Sequence, residues 1–316
     1  MISEGQLLFA PMEGVTNSLY REVVTELYPE WDFFACDFLR IPTTVAFPRK
    51  HILKHFGKKH FDSPIKDKTI FQVLTSENGK TKETFKDLKD LGFKWVDLNL
   101  GCPSKTVVKN KGGSYLLKAP HILDRILGEI RETYEGFFSV KIRVGFEDDS
   151  VFEDNLRLFE KHQVGAITIH GRTREELYKG KANWDYLKRA SEMLDIPIIG
   201  NGDIWTLNDI SSCFSYTKNT SLMIARGALK RPWLASHYYQ NIKETDQIRI
   251  KEIKRYLYKI HDVYVENNMP NEKILRFLKG LVRYIFDDLP NDEVLKRTCL
   301  RSLDLKTFFK TIDSIH

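Results

Sequence analysis

Short apolar runs recur along the first three quarters of the chain, separated by longer stretches in which apolar residues return every third or fourth position. The runs are LLFAPM (7–12), FFACDFLR (33–40), TIFQVLT (69–75), WVDLNLG (95–101), FSVKIRVG (138–145), AITIHGR (166–172), PIIGNGD (197–203) and SLMIARG (221–227). Each is nearly continuous in apolar residues and ends in polar residues or glycine, as a parallel strand covered on both faces does. Most of the stretches between them, such as APHILDRILGEIRETY and SVFEDNLRLFEKHQ, carry helical periodicity. Residues 41–68, basic and proline-containing, are the exception and read as an irregular loop. Eight strand-then-helix units predict an α/β chain folded as a (β/α)8 TIM barrel. An open doubly wound sheet is the alternative, but the GxGxxG fingerprint it would carry after its first strand is missing.

Beyond residue 245 the strand pattern stops. DQIRIKEIKRYLYKIHDVYVENN, NEKILRFLKGLVRYIF, DEVLKRTCLRS and LKTFFKTIDSI predict short amphipathic helices whose apolar stripes form a core. The expected organisation is a catalytic barrel over 1–240 followed by a small all-helical domain over 245–316.

Barrels carry their chemistry where the strands end. Those ends hold Pro11, Met12 and Glu13, then Arg40, Gln72, Asn99 with Cys102, Lys141 with Arg143, His170 with Arg172, Asn201-Gly202-Asp203, and Ala225-Arg226. The last two ends, GNGD and ARGALKRP, are small-residue loops that let backbone N–H groups approach an anion, with Arg226 adding charge; barrels often bind phosphate there. Gln72 and Lys141 suit the polar edge of a flat heterocycle, the amide offering donor and acceptor and the lysine stabilising negative charge. A phosphate at one end and such a ring at the other describe flavin mononucleotide. A lysine paired with a carboxylate, or a Schiff-base lysine, are the other readings of Lys141.

Composition narrows this only slightly. The 316 residues are 42% hydrophobic and 29% charged, with a mean hydropathy of −0.37. No apolar run is long enough to span a bilayer, and MISEGQLLFAPM lacks the basic and long apolar regions of a secretory signal, so a cytoplasmic, non-membrane protein is expected. Cys36, Cys102, Cys213 and Cys299 form no CxxC pair, which argues against a disulfide framework or a structural zinc site. His51, His55 and His60 lie in a basic run without a convergent carboxylate, so no metal is expected. The net charge of +6 is compatible with a polyanionic partner.

APMEGVTNSLYRE, DLNLGCPSKTVVKNKGGSYLLK, VKIRVGF, HGRTREELYKGKANW, IPIIGNGDI and MIARGAL follow one another in this chain as the motifs of the tRNA-dihydrouridine synthases do. APMEGV, DFLRI and the helical tail resemble most the bacterial C type of that family. The resemblance implies an FMN-containing barrel that reduces a uridine of the tRNA D-loop, uridine 16 for this type, to 5,6-dihydrouridine with NADPH as the electron source. It places FMN against Pro11, Met12 and Glu13, gives the flavin ring to Gln72 and Lys141 with His170 nearby, and gives the phosphate to Asn201, Gly202, Asp203, Ala225 and Arg226. It makes Cys102 the proton donor and Asn99 a residue that helps hold the uracil. Contacts to the substrate or the tRNA are expected from Arg40, Asn99, Lys105, Arg143, Arg172, Tyr178, Arg276, Lys279 and Arg283, and a monomer is expected. Asn17 stands where the pattern usually has Asp. Ala225 replaces a frequent Gly, which would weaken FMN binding if that position needs positive φ.

The chemistry explains a thiol at that place. The C5=C6 bond of uracil is conjugated with the C4 carbonyl, so hydride arriving from flavin N5 at C6 leaves charge that protonation at C5 resolves. A thiol of ordinary pKa, about 8.5, is mostly protonated near neutrality yet able to release its proton. A nucleophilic thiol activated by His170, or an inert one filling a gap, are the competing readings. KTVVKNKGGSYLLK, after the thiol, reads as a mobile loop that covers the substrate. Two other functions stand beside this one. A flavin barrel for a small unsaturated metabolite would have no need of the basic loops and tail. An RNA-binding module without catalysis would have no need of Gln72, Cys102 and Lys141.

Overall fold

The eight apolar runs become a closed ring of parallel strands. The structure, a computed structural model, describes residues 2–289 and 291–315. The strands are β1 (Gln6–Phe9), β2 (Phe33–Ala35), β3 (Leu39–Arg40), β4 (Thr69–Leu74), β5 (Trp95–Leu100), β6 (Phe137–Arg143), β7 (Ala166–His170), β8 (Ile198–Asn201) and β9 (Ser221–Ile224). β1 pairs with β2 on one side and β9 on the other, β2 with β4, and each of β4 to β8 with its successor, all in parallel. Eight strands thus close on themselves, and β3 adds to the edge of β4. This is a TIM barrel.

The second run is not one strand. Ala35 is level with Ile70 and Leu39 with Val73, so it advances four residues while β4 advances three. The extra residue makes a bulge at Cys36–Phe38. Cys36 Sγ accepts the Gln72 N–H at 3.3 Å, filling the ladder position that the bulge vacates.

Residues point alternately into and out of the ring. Leu8, Ala10, Ala35, Ile70, Trp95, Ala166, Ile199 and Met223 form its apolar interior, with Phe33 and Phe137 packed against them. Two residues further along the strands the inward positions turn polar: Gln72, Asp97, Ser139 and Thr168 are all buried. The core therefore supports a polar layer at the carboxyl ends.

Residues 41–68 depart from the expectation of a loop. They contain helices Arg49–Phe56 and Lys58–Phe61 and a short 3-10 turn, Pro64–Lys66. Ile52 and Phe56, four apart, are buried, and Phe56 lies against Phe71 and Phe93 with ring centroids 6.1 and 5.1 Å away. Two well-placed apolar side chains, each contributing about 2 kcal/mol on burial, dock a helix whose other positions, apart from the half-buried Leu53, are basic residues or histidines. Arg49 pairs with Asp87 and Asp90.

The chain divides into two compact units, one of residues 1–17, 32–204 and 208–225, the other of 18–31, 205–207 and 226–316. The second holds helix Ser18–Leu27 and the four tail helices, Asp246–Glu266, Asn271–Ile285, Asp292–Arg301 and Leu305–Asp313. Within it Tyr256 Oη donates to Tyr20 Oη at 2.7 Å, and Tyr28 Oη donates to Glu252 at 3.0 Å. Arg249, a cation on the first tail helix, is only 3% exposed. Its guanidinium donates to the carbonyls of Ile285 and Asp287, closing the end of helix Asn271–Ile285. No described helix is long and apolar enough to cross a membrane.

Candidate active site

β5 ends in Asn99-Leu100-Gly101-Cys102, and Asn99 builds the turn. Its Oδ1 accepts the backbone N–H of Gly101 at 3.0 Å and of Cys102 at 2.9 Å. Its Nδ2 donates to Gln72 Oε1 at 2.9 Å, and Gln72 Nε2 donates to Asp97 at 2.8 Å. The Cys102 carbonyl accepts Ser114 Oγ at 2.7 Å. The thiol lies in a small apolar cluster with Leu74 and Val107, Phe38 alongside.

Burial pushes the Cys102 thiol up from its ordinary value, and Glu13 adds to this, while the Ser104 N–H, Arg40 and Arg143 oppose it. A thiol held above its usual range stays protonated at neutral pH. It is suited to giving a proton and poorly suited to attacking as a thiolate. The charges that act on it come from the ends of β1, β3 and β6, so Glu13, Arg40 and Arg143 share its surroundings.

Lys141, level with Asn99 on the neighbouring strand, donates to Asn201 Oδ1 at 3.2 Å. Asn201 Nδ2 donates to the Met223 carbonyl at 2.6 Å, which fixes the amide with its oxygen toward the ammonium. Burial pushes Lys141 down to about 8, with Arg143 adding to the fall and Asp97 opposing it. An ammonium has three hydrogens, and Gln72 keeps one hydrogen and one lone pair beyond its two bonds. That donor and acceptor set fits the alternating carbonyl and N–H edge of a flavin ring.

The arginines serve the backbone. Arg143 donates to the carbonyls of Gly101 at 3.0 Å and of Thr173 and Leu177 at 2.9 Å each. It thereby ties the thiol loop to the loop after β7. Its guanidinium also lies 5.5 Å from the ring of Tyr178, which is 57% exposed and available to a large substrate. Arg172, 1% exposed, donates to the Lys179 and Gly180 carbonyls at 3.1 and 2.7 Å. It also pairs with Asp203 at 2.5 Å and contacts His170 Nε2 at 3.3 Å. Asp203 accepts the Ala182 N–H as well, at 2.7 Å. Sequence reasoning places these residues at the mouth but does not show that they brace its loops.

Gly202 has φ 116°, and a Cβ there would sit 2.8 Å from Ala182 Cβ and 2.9 Å from His170 Cδ2, so only glycine fits. Ala225 lies outside the left-handed region and packs on the barrel interior. The Gly-to-Ala departure therefore carries no backbone strain. At the end of β1, Met12 N–H donates to Thr16 Oγ1 at 3.0 Å, which turns Pro11, Met12 and Glu13 over the barrel end. Arg226 belongs to the helical unit, where its guanidinium stands 4.8 Å from the Trp205 ring.

Gly112 and Gly113, expected in a mobile loop, serve close approach. A Cβ at Gly112 would lie 2.7 Å from the Thr75 carbonyl and one at Gly113 3.3 Å from Cys102 Cβ. Lys105 is exposed at the start of helix Lys105–Lys109. On the tail, Arg276 and Arg283 are exposed, whereas Lys279 donates to the Ser302 carbonyl at 2.6 Å. The residue that sequence reasoning passed over is Asp97, a carboxylate 1% exposed inside an apolar strand. Its one signal was a charge where a buried strand should have none.

The dihydrouridine synthase family model matches residues 8–314. A tRNA-dihydrouridine(16) synthase of Haemophilus influenzae is 30% identical over 95% of this chain and 98% of its own length. One of Shewanella oneidensis is 33% identical over 73% and 74%. Among solved structures, a 2-naphthoyl-CoA reductase complex superposes with a TM-score of 0.57 at 11% identity, over 76% of this chain and 50% of that one. A histamine dehydrogenase from Rhizobium sp. 4-9 gives 0.55 at 12%, over 83% and 49%. The chain spans about half of each of these two structures, and the likeness shows the barrel fold. With its strand ends, its thiol turn and a match along almost its whole length, the chain belongs to the dihydrouridine synthase family.

Proposed function

We propose that the protein reduces uridine 16 of the tRNA D-loop to 5,6-dihydrouridine, with FMN as its bound cofactor and NADPH as reductant. The observation that carries this reading is a buried thiol held protonated at the mouth of the barrel, on a turn built by an asparagine that also bonds Gln72. The names of the relatives supply the substrate and the position.

FMN, when bound, supplies the two electrons that reach uracil C6 as hydride. Gln72 and Lys141 would hold its ring, with His170 beside them, the backbone of Pro11 to Glu13 along it, and Asn201, Gly202 and Ala225 at its phosphate. Cys102 gives its proton to C5, so that one hydride and one proton saturate the C5=C6 bond. Arg143 and Arg172 keep the surrounding loops in place, and Asn99, beside the thiol, helps hold the base. Arg40, Lys105, Tyr178, Arg276 and Arg283 take the RNA, whose target base has to leave its stack to reach a barrel mouth. The helical tail is, on this reading, a tRNA-binding domain.

The test is NADPH oxidation by the purified, flavin-loaded protein with and without unmodified tRNA, followed by mapping of dihydrouridine. Oxidation that depends on tRNA, with dihydrouridine at position 16, is the expected result. Flavin-loaded protein that reduces a small enone and ignores tRNA would overturn the reading.

A further inference from the structure

The bonds around Asn99 continue into the barrel, and their direction is fixed from both ends. At the inner end Trp95 Nε1, a donor only, donates to Ser139 Oγ at 2.8 Å, and Ser139 Oγ donates to Asp97 Oδ1 at 2.6 Å. At the outer end the N–H groups of Gly101 and Cys102, also donors only, point at Asn99. Asn99 must therefore turn its oxygen to them and its NH2 to Gln72. Gln72 must turn its oxygen to Asn99 and its NH2 inward, at 2.8 Å from Asp97 Oδ2. Two runs of donors converge on one side chain, and only a group that accepts on its Gln72 side closes them. Gln72, Asp97 and Ser139 are level on β4, β5 and β6. The five side chains range from 0 to 9% exposed, so water does not repair a reversed amide.

We infer that Asp97 is a positioning residue, whose acceptor oxygen sets the orientation of the Gln72 and Asn99 amides and through them holds the Cys102 turn. This rests on the proposed role of Cys102 for its catalytic meaning but not for its geometry. A reversed Gln72 would present its NH2 to the NH2 of Asn99. Asn99 would reverse in turn and set a donor against the N–H groups of Gly101 and Cys102.

Single and double variants should differ in kind. Asp97→Asn keeps the order, because the new amide can turn its NH2 to Ser139, whose oxygen has a second lone pair, while its carbonyl faces Gln72. Ser139→Ala keeps it too, because Asp97 still presents an acceptor to Gln72. In the double variant the indole N–H of Trp95 favours the oxygen of the new amide at position 97. The NH2 of that amide then turns onto Gln72 and reverses the chain.

The experiment is a double-mutant cycle on the rate at which iodoacetamide alkylates Cys102, followed by peptide mapping, with thermal stability measured alongside. Each single variant should alkylate within about threefold of wild type. The double variant should depart by at least about fivefold from the product of the singles, a coupling within the range seen for residues of one network. Melting temperature should likewise fall by more than the sum of the singles, because the reversed chain buries donor against donor. Additive alkylation rates would overturn the inference, as would a coupled loss of stability with no change at Cys102. Alkylation needs neither FMN nor tRNA, so a wild-type protein inactive on tRNA would sink the proposed function and leave this cycle to decide the network.

Discussion

Arg172 and Asp203 meet at 2.5 Å across the ends of β7 and β8, with the arginine almost wholly enclosed. Asp203 reaches this pair from a left-handed backbone, φ 51°, a conformation Asp tolerates better than most side chains. The same carboxylate holds the Ala182 N–H. A carboxylate committed to a cation and an amide braces the loop that carries Tyr178, and it makes a poor ligand for a phosphate.

Asp203→Ala is therefore expected to act on stability. It leaves a buried guanidinium short of its partner, which costs about 3 kcal/mol when one member of such a pair is removed. Urea unfolding should show this, and limited proteolysis should cut first near residues 178–182. Asp203→Asn, which keeps an acceptor, should recover part of the loss. Unchanged stability with lost flavin would show that Asp203 serves the phosphate instead.

Cys102→Ala should separate two half-reactions. The thiol is asked only for a proton at the uracil, so flavin content and reduction by NADPH should match wild type. Dihydrouridine formation should fall by about 10²- to 10⁴-fold, the usual loss for a positioned acid. Wild-type turnover on tRNA would remove Cys102 from the chemistry, and loss of flavin reduction would give it a structural role.

Lys141 makes a prediction about pH. Its folded value is pushed down to about 8 from the ordinary 10.5. Between those values the unfolded chain holds the proton and the folded chain has released it. Stability therefore rises with pH across that window, and the penalty of burying the cation is fully present below it. Lys141→Met removes the penalty. In protein stripped of flavin, wild type should gain melting temperature relative to this variant between about pH 8 and 10. A difference that stays constant with pH would mean that the amine is not strained by burial.

The barrel was legible because strands buried on both faces cannot hide their apolar runs, and the tail because its helices are strongly amphipathic. Helix Arg49–Phe56 was not, since only Ile52 and Phe56 are buried among its charged neighbours. The break in the second run was hidden too: FFACDFLR reads straight through a bulge that Cys36 makes tolerable. Cys102, Gln72, Lys141 and Asn201 stood out as polar groups at strand ends. The bracing work of Arg143, Arg172 and Asp203 did not, because their partners are mostly backbone groups of loops whose paths no local pattern fixes. Asp97 was in plain view, but its meaning depends on which side chains stand level with it on two other strands.

The last prediction concerns the tail. Arg276 and Arg283 are exposed on helix Asn271–Ile285, while Lys279 commits a hydrogen to the Ser302 carbonyl at the end of helix Asp292–Arg301. The three cations, which sequence alone groups together, should therefore behave differently. Arg276→Gln with Arg283→Gln should raise the KM for tRNA and leave flavin binding and flavin reduction untouched. Phosphate contacts position RNA without reading its sequence, so the loss should be similar across tRNAs. The salt dependence should flatten by up to about 0.7 for each phosphate contact removed. Lys279→Met should instead lower the melting temperature, because the Ser302 carbonyl loses its donor. Mapping dihydrouridine in tRNA from a deletion strain complemented with each variant completes the test. Wild type should restore position 16, and the double arginine variant should restore the same position more slowly. Modification of another D-loop uridine by wild type would overturn the position and leave the enzyme class standing. An unaltered KM in the arginine variant would take the tRNA contacts off this helix.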